Sequence, residues 1–300
     1  MSLATKHRPR ELKDFIGNEQ TVSALRLMMD RDEIPHTMLF TGPSGTGKTT
    51  LARIVAKRLK CSPHDLQELN TADFRGIDSV REIVRSMSLS PMGGDCRVWI
   101  LDECHSLTKD AQHALLKALE DTPTHVYFLL ATTDPEKLLP TIRTRCTTFQ
   151  VWPLPDLIMT RLIAGVVQKE GAEIPGEVMK QIVQDSLGSA RMALSILDKI
   201  INMEQDAMLE AAKQQAAAQN KAIELCRVLI GRRPWKEIAV ILAGLDEDPE
   251  SIRRAVLGYA QAVLLKSGNA QAAVVLTSFK EPLYDIGKPG LTLAAFESIS

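Results

Sequence analysis

The stretch from Thr41 to Thr49 constrains the fold of this chain more than any other. It reads Thr-Gly-Pro-Ser-Gly-Thr-Gly-Lys-Thr and contains the pattern G-x-x-x-x-G-K-[ST] without a mismatch. A short strand is predicted before it, at 36–40, and apolar residues at helical spacing follow it. Strand, glycine-rich loop and helix therefore come in the order that surrounds phosphate oxygens with backbone N–H groups at a helix N-terminus. The pattern predicts a bound nucleoside triphosphate.

The residues of this loop have separate expected tasks. Lys48 is expected to reach the β- and γ-phosphates, and the Thr49 hydroxyl to ligate Mg²⁺. Gly45 and Gly47 supply the backbone freedom that the loop requires. The alternative is a glycine turn that holds a lysine by accident, which average residue usage gives in on the order of one in a hundred chains of this length. The predicted ATP-binding residues of the loop are Gly42, Pro43, Ser44, Gly45, Thr46, Gly47, Lys48, Thr49 and Thr50.

Length and composition bound the class of protein. The 300 residues, 45% of them hydrophobic, suffice for two or three domains with buried cores. Because 36 Lys and Arg face 37 Asp and Glu, any nucleic-acid binding must come from a local basic face. The five cysteines include no C-x-x-C pair and indicate neither a zinc ribbon nor a disulfide framework. No apolar signal core or membrane-length run is present, so a cytoplasmic protein without membrane contact is expected.

A second strand candidate ends in two acidic residues. The apolar run 97–101 leads into Asp102 and Glu103, the expected second half of an NTPase site. Asp102 is expected to hold Mg²⁺ through its water shell, and Glu103 to orient and deprotonate the attacking water. Asp-Glu pairs are common, and the apolar strand downstream of the phosphate loop is what makes this pair informative. Cys104 beside them has no base partner and is interpreted as structural.

Strand and helix patterns alternate over the first half of the chain. Five strand candidates fall before residue 152 and predict an α/β domain with an open parallel sheet. Thr133 follows the candidate at 126–131, at the end where open α/β sheets bind ligand. It is expected to contact the γ-phosphate or its water, with a cap on the next turn as the alternative. Arg81 and Arg85 lie one turn apart on a helical pattern. Two interpretations stay open: a solvated basic face, or a contact with phosphate.

From residue 153 onward, helical patterns follow one another without strand candidates. Residues 207–222 are rich in Ala and Gln, which favours helix without specifying a core, so a boundary is predicted near them. The last helical patterns lack clusters of acids or histidines, which suggests assembly and not chemistry. The predicted domains are 1–152, 153–205 and 206–300.

With these motifs, the chain resembles the AAA+ ATPase subunits of sliding-clamp loaders over most of its length. Residues 42–49 and Asp102-Glu103-Cys104-His105 are similar to the two Walker motifs of that family. The segments 7–9 and 16–19 are similar to its region around adenine, with His7 where an aromatic residue is more usual. Residues 69–78 are similar to archaeal and eukaryotic small subunits, and 130–135 to the bacterial type. The resemblance implies a P-loop AAA+ module with a five-stranded parallel sheet, a helical lid domain and a C-terminal helical collar that mediates oligomerisation.

The resemblance also implies roles for single residues. Thr133 stands at the first sensor, Arg191 at the second sensor of its own subunit, and Arg145 at an arginine finger that reaches a neighbour's ATP site. Thr144 replaces the usual serine of the finger motif and keeps its hydroxyl. The implied catalytic residues are Glu103, Lys48, Arg145 and Thr133; Arg8, Pro9, Ile16 and Arg191 join the ATP site; Thr49 and Asp102 hold Mg²⁺; and Arg75, Arg81 and Lys109 contact the DNA backbone.

The implied function is ATP-dependent loading of a sliding clamp onto primer–template DNA during replication, by an ATPase that DNA and clamp stimulate. The implied cofactors are ATP and Mg²⁺, and the partners are other loader subunits, the clamp, the DNA and, indirectly, DNA polymerase. The chain lacks a four-cysteine zinc module between Lys48 and Asp102 and a polymerase-binding extension. A phage-encoded or archaeal-like loader is therefore expected. It would lie in the cytoplasm, or in the host cytoplasm if it is phage-encoded. Two alternatives stay open: another AAA+ DNA motor, of the branch-migration or helicase-loading type, and a non-hydrolysing structural subunit.

Overall fold

The structure, a computed structural model, describes residues 1–73, 76–219, 221–245, 248–283 and 286–299. The chain forms two compact units. The first comprises Met1–Val166 with Gly188–Arg191, and the second Val167–Leu187 with Met192–Ser300. The division into three domains, 1–152, 153–205 and 206–300, stays a prediction.

The first unit is built on a five-stranded sheet in which every pair of neighbours is parallel, which confirms the predicted α/β class. The order is β2-β3-β4-β1-β5. The central strands are apolar and buried, as expected when helices cover both faces, whereas the edge strand β2 exposes Gln67 and Glu68. The strands are β1 Thr37–Thr41, β2 Leu66–Asn70, β3 Arg97–Asp102, β4 Val126–Thr132 and β5 Thr147–Gln150.

Helices cover the sheet because successive strand residues point to opposite faces. Phe40 and Ile100 belong to the core on one face, and their neighbours Leu39 and Leu101 to the core on the other. The helices of this part of the chain are α1 Leu3–Lys6, α2 Glu19–Asp30, α3 Lys48–Arg58, α4 Ile77–Ser86, α5 Lys109–Glu120 and α6 Pro140–Arg145. Helices α2 and α3 contribute to the first core, and α4 and α5 to the second. This arrangement leaves the carboxyl ends of β1, β3 and β4 side by side.

In the rest of the chain, the residues that the structure describes form helices joined by loops, without strands. The helices are α7 Asp156–Glu170, α8 Gly176–Asp185, α9 Ala190–Ile200, α10 Gln205–Gln219, α11 Lys221–Ile230, α12 Trp235–Ala243, α13 Pro249–Ser267, α14 Ala270–Ser278 and α15 Gly287–Glu297. The Ala- and Gln-rich helix α10 packs against α8 and α11 within the second unit. None of the helices described is both long and apolar enough to cross a membrane.

A buried carboxylate ties the loop before β3 to the segment after α3. Asp65 accepts hydrogen bonds from the Ser62 hydroxyl at 2.6 Å and from the backbone N–H groups of Met92 at 2.7 Å and Gly93 at 3.0 Å. The Arg97 guanidinium lies 3.6 Å from the Asp65 carboxylate. The hydrogen bond from Ser62 is the largest of the influences that lower the pKa of Asp65 to about 2.

Replacing Asp65 with Asn is expected to lower the free energy of unfolding at pH 7 by about 2 kcal/mol. The folded pKa lies below the ordinary aspartate value, so the ionised group stabilises the fold above about pH 4, and this stability is lost as the pH falls toward 2. Urea unfolding of the variant should therefore depend less on pH between 4 and 2. The control is Glu173→Gln, at an exposed carboxylate in the loop after α7. An equal loss of stability in both variants would contradict the expectation.

Candidate active site

The loop between β1 and α3 carries a buried positive charge. Lys48 is the first residue of α3 and is only 5% exposed. Its ammonium group donates hydrogen bonds to the backbone carbonyls of Gly42 and Pro43, each at 2.9 Å. Burial lowers the pKa of Lys48, and the nearby carboxylates of Glu103 and Asp102 oppose that shift. The lysine is thus held by its own loop, with both carboxylates in electrostatic range.

Two glycines of the loop have backbone conformations that other residues rarely adopt. Gly42 has φ of 141° and Gly47 has φ of 108°. A side chain at Gly42 would overlap the carbonyl oxygen of Val151, and one at Gly47 would overlap the ring of Phe15. The loop therefore requires glycine for close approach as well as for its turn. Phe15 was not among the predicted site residues, since nothing in its local sequence indicates this contact.

A hydroxyl and a carboxylate meet beside Lys48. Thr49 Oγ1 donates to Asp102 Oδ2 at 2.7 Å, and Asp102 Oδ1 accepts from the backbone N–H of Glu103 at 3.0 Å. The two side chains come from α3 and from the end of β3, as the sequence predicted. Both present hard oxygen atoms, the ligands that Mg²⁺ prefers. These two residues fit a Mg²⁺ ion, and their role as its ligands stays a prediction.

Glu103 has a left-handed backbone with φ of 50°, which is uncommon for a residue other than glycine. Thr71 holds this conformation, because its N–H donates to the Asp102 carbonyl at 2.9 Å and its hydroxyl to the Glu103 carbonyl at 2.7 Å. On the side chain, Thr133 Oγ1 donates to Glu103 Oε2 at 3.1 Å. The structure thus brings the predicted first sensor onto the predicted base. Thr71 was not predicted, since only the pairing of β2 with β3 places it there.

The segment Gly188–Arg191 lies against the phosphate loop within the first unit. The backbone N–H of Arg191 donates to the Gly45 carbonyl at 3.3 Å. A side chain at Gly45 would overlap Ser189 and crowd Arg191. The positive charge of Arg191 also acts on Lys48 and contributes to lowering its pKa. The predicted second sensor therefore lies at the phosphate loop.

The N-terminal segment reaches the same region through residues 15–18. The side chain of Asn18 exchanges two hydrogen bonds with the backbone of Trp152, at 2.7 and 3.1 Å. Ile16 is 40% exposed, and Arg8 and Pro9 are half-buried. The part that Arg8, Pro9 and Ile16 take in binding adenine stays a prediction.

Arg145 lies away from the phosphate loop of its own chain. Its backbone carbonyl accepts a hydrogen bond from the hydroxyl of Thr37, the first residue of β1, at 2.7 Å. The phosphate loop begins after Thr41, the last residue of that strand, so about 13 Å of extended strand separates the two positions. The exposed guanidinium forms an ion pair with Glu120 and donates to the Thr141 carbonyl at 3.2 Å.

The predicted DNA-contacting residues are less defined. Arg75 lies outside the described residues. Arg81 is exposed on α4 and pairs with Asp78 at 3.2 Å, and Lys109 is exposed as the first residue of α5. A groove between α4 and α5 has arginine, histidine and lysine side chains along an apolar floor; it is lined by Ile77, Arg81, Val84, Arg85, Asp110, His113, Ala114 and Lys117.

The fold and the site together define a class of protein. A parallel sheet of this order, with a phosphate loop after β1, an acid pair after β3 and a polar residue after β4, is an AAA+ P-loop module. Solved structures share the fold. The Thermotoga maritima RuvB Holliday junction branch migration motor superposes with a TM-score of 0.60 at 23% identity, over 74% of this chain and 79% of that one. A point mutant of the same motor gives 0.62 at 21%, over 87% and 88%.

Sequence relatives of the chain are named as replication proteins. The family model described as "DNA polymerase III, delta subunit" matches residues 64–155 of this chain. DNA polymerase III subunit gamma/tau of Mycobacterium bovis is 34% identical over 224 residues, which cover 67% of this chain and 39% of that protein. Replication factor C subunit 4 of Encephalitozoon cuniculi is 36% identical over 202 residues, which cover 67% and 65%. Over about two thirds of its length the chain is thus similar to AAA+ clamp-loader subunits. It spans about two fifths of the length of the mycobacterial relative.

Proposed function

We propose that this chain hydrolyses ATP as a subunit of a clamp loader and so loads a sliding clamp onto primer–template DNA during DNA replication. The observation that carries the proposal is the convergence of Lys48, the Thr49–Asp102 pair and the Glu103–Thr133 pair at one end of the sheet. Relatives named as subunits of DNA polymerase III and replication factor C support the replication context.

In this proposal the phosphate loop binds the triphosphate of ATP. Backbone N–H groups between Gly42 and Lys48 face the phosphate oxygens, and Lys48 exchanges loop carbonyls for the β- and γ-phosphates. Thr49 and Asp102 hold Mg²⁺, which when bound neutralises charge on those phosphates. Arg191 contacts the γ-phosphate and makes the site sensitive to the position of the helices that follow.

Hydrolysis then requires Glu103 and an arginine from a neighbour. Glu103 orients the attacking water and takes its proton, while the Thr133 hydroxyl keeps the carboxylate in place. Arg145 acts in the neighbouring subunit's site, since it lies a strand's length from its own phosphate loop. Loss of the γ-phosphate removes the contact that Arg145 makes between subunits, and this releases the clamp.

The remaining parts of the chain serve assembly in the same proposal. Residues 153–205 act as a lid on the ATPase domain 1–152, and residues 206–300 form a collar that joins subunits around the DNA. The clamp, the primer–template DNA and other loader subunits are the direct partners, and DNA polymerase is an indirect one. The complex works in the cytoplasm, where the DNA is replicated.

ATP turnover measured with and without primer–template DNA and candidate clamps tests the proposal. Turnover is expected to rise when DNA and clamp are both present. Stimulation by DNA alone, whatever clamp is added, would favour a branch-migration or helicase-loading motor. ATP binding without turnover under all conditions would favour a structural subunit.

Neutralising Arg75, Arg81 and Lys109 together is expected to weaken primer–template binding and flatten its salt dependence. The slope of log affinity against log salt is negative. For each DNA phosphate that is no longer neutralised, its magnitude should decrease by about 0.9 in duplex DNA. The effect should be independent of base sequence, because backbone contacts read no bases. The measurement is a binding titration at several salt concentrations. The control is Lys180→Ala, at a lysine of α8 outside the proposed interface; a triple variant with an unchanged slope would remove these residues from the DNA interface.

A further inference from the structure

His105 follows the acid pair and has no role in the mechanism so far. It lies in the short turn Cys104–Ser106 after β3, and its side chain is only 18% exposed. Its Nδ1 atom is 3.0 Å from the hydroxyl of Thr132, the last residue of β4, and 3.5 Å from Glu103 Oε2. Thr132 is fully buried. The histidine thus joins the proposed base to the end of the neighbouring strand.

The partners of these atoms indicate which nitrogen of His105 carries the hydrogen. The ionised carboxylate of Glu103 can only accept hydrogen bonds, so the approach of Nδ1 to Oε2 is favourable when Nδ1 is a donor. Thr132 Oγ1 accepts from the backbone N–H of Asp134 at 3.0 Å and retains capacity for a second donor. Burial lowers the pKa of His105, so the ring is neutral near pH 7 and has one N–H. The surroundings place that N–H at Nδ1.

Both oxygens of the Glu103 carboxylate are then distinguished by their partners. Oε2 faces two donors, the Thr133 hydroxyl at 3.1 Å and the His105 ring at 3.5 Å. Among the residues that the structure describes, none donates to Oε1. The hydrogen bond from Thr133 and the electrostatic attraction of the His105 ring hold Oε2 on this side and leave the other oxygen to accept a proton.

We propose that His105 is a positioning residue for ATP hydrolysis: its Nδ1–H, hydrogen-bonded to the Thr132 hydroxyl, attracts Glu103 Oε2, so that Glu103 Oε1 faces the attacking water. This inference rests on the proposed hydrolytic function. The group that acts is a single donor at the Nδ1 position, and the ring itself takes no part in the reaction.

Three substitutions test this donor, in the full-length protein with DNA and clamp present. Asn carries an amide nitrogen near the position of Nδ1, whereas the amide of Gln falls near that of Nε2. His105→Asn is expected to keep kcat within about threefold of the unsubstituted protein, and His105→Gln and His105→Ala to lower it roughly 10- to 100-fold. KM and the equilibrium affinity for ATP should change by no more than about twofold in all three, because His105 touches neither phosphate loop nor nucleotide in the proposed mechanism.

The outcomes separate this inference from the function on which it rests. Asn and Gln variants with equal kcat, whether both are active or both are impaired, would overturn the positioning role while leaving hydrolysis in place. A loss that appears only in KM would also overturn it. An unsubstituted protein with no turnover would overturn the proposed hydrolysis and this inference together. Thermal unfolding of each variant is measured alongside, and if the alanine variant does not fold, the comparison of Asn with Gln decides.

Discussion

Replacing Arg145 with alanine is expected to leave ATP binding unchanged and to reduce DNA- and clamp-stimulated hydrolysis by ~10³- to 10⁵-fold. The two effects separate because of where the residue lies. The backbone carbonyl of Arg145 accepts a hydrogen bond at 2.7 Å from the hydroxyl of Thr37, the first residue of β1. The phosphate loop begins only after the last residue of that strand. Removing its guanidinium therefore takes no contact from the ATP site of its own chain. Equilibrium titration with ATP and stimulated turnover measure the two effects.

The matched control is Arg143→Ala, in the same helix α6. Arg143 binds both carboxylate oxygens of Glu136 at 3.0 Å and has no proposed role at a neighbouring site. Its replacement should leave stimulation within about threefold of the starting value. Stimulated turnover close to the unsubstituted level in the Arg145 variant would eliminate the finger role.

Mixing two inactive variants tests whether Arg145 acts between subunits. An Arg145→Ala subunit keeps an intact phosphate loop, and a Lys48→Ala subunit keeps an intact Arg145. If the finger acts between subunits, mixed assemblies contain interfaces with a complete site and regain turnover. If Arg145 served its own chain, no subunit in the mixture would be complete, and turnover would stay absent.

The sequence predicted the sheet and the phosphate loop because both depend on local patterns. Buried parallel strands read as continuous apolar runs, and the run 126–131 became β4 with a shift of one residue at its end. The G-x-x-x-x-G-K-[ST] pattern specifies a loop conformation directly, since Gly42 and Gly47 have positive φ angles that other residues rarely adopt. Where a residue's conformation is set by its own neighbours in sequence, pattern was sufficient.

The contacts that hold Glu103 were not predictable in the same way. Thr71 reaches it only because β2 lies beside β3, and Thr132, the partner of His105, lies there only because β4 is the other neighbour of β3. Strand order is not visible in hydrophobic periodicity. Phe15 packs on Gly47 from a distant segment of the chain, a contact that local pattern does not indicate either. The start of helix α15 is likewise not indicated by local pattern: its first turn contains Gly287, Pro289 and Gly290, which favour a turn, although proline is tolerated at the start of a helix.

The position of Arg145 shows what the strand order adds to a motif. Its place in the chain suggests a finger only by resemblance, and the sequence does not say which ATP site it serves. The hydrogen bond to Thr37 places it at the amino end of β1, whereas Lys48, Asp102 and Thr133 gather at the carboxyl ends of the strands. The position of Arg145 at the opposite end of the sheet from its own phosphate loop thus supports the proposal that it acts on a neighbouring subunit.

Replacing Lys48 with alanine is expected to weaken ATP binding by about 30-fold to several thousand-fold, which corresponds to roughly 2–5 kcal/mol for the loss of one partner of a buried charged contact. The ammonium group donates hydrogen bonds to the carbonyls of Gly42 and Pro43, each at 2.9 Å. Phosphate oxygens carry full negative charge and are better partners for it than those carbonyls, so the lysine contributes net affinity. Equilibrium titration with ATP and Mg²⁺ measures the loss.

The fold should withstand this substitution, because the lysine is buried and its charge is costly to bury, and no carboxylate of the described residues is directly bonded to it. The Pro43 carbonyl also keeps the hydrogen bond from the Thr46 hydroxyl at 2.9 Å. We therefore expect the thermal midpoint of the variant to lie at most about 3 °C below that of the unsubstituted protein. The control is Lys57→Ala, at an exposed lysine of the same helix. Equal ATP affinities in the two variants would show that the phosphates bind elsewhere than at this loop.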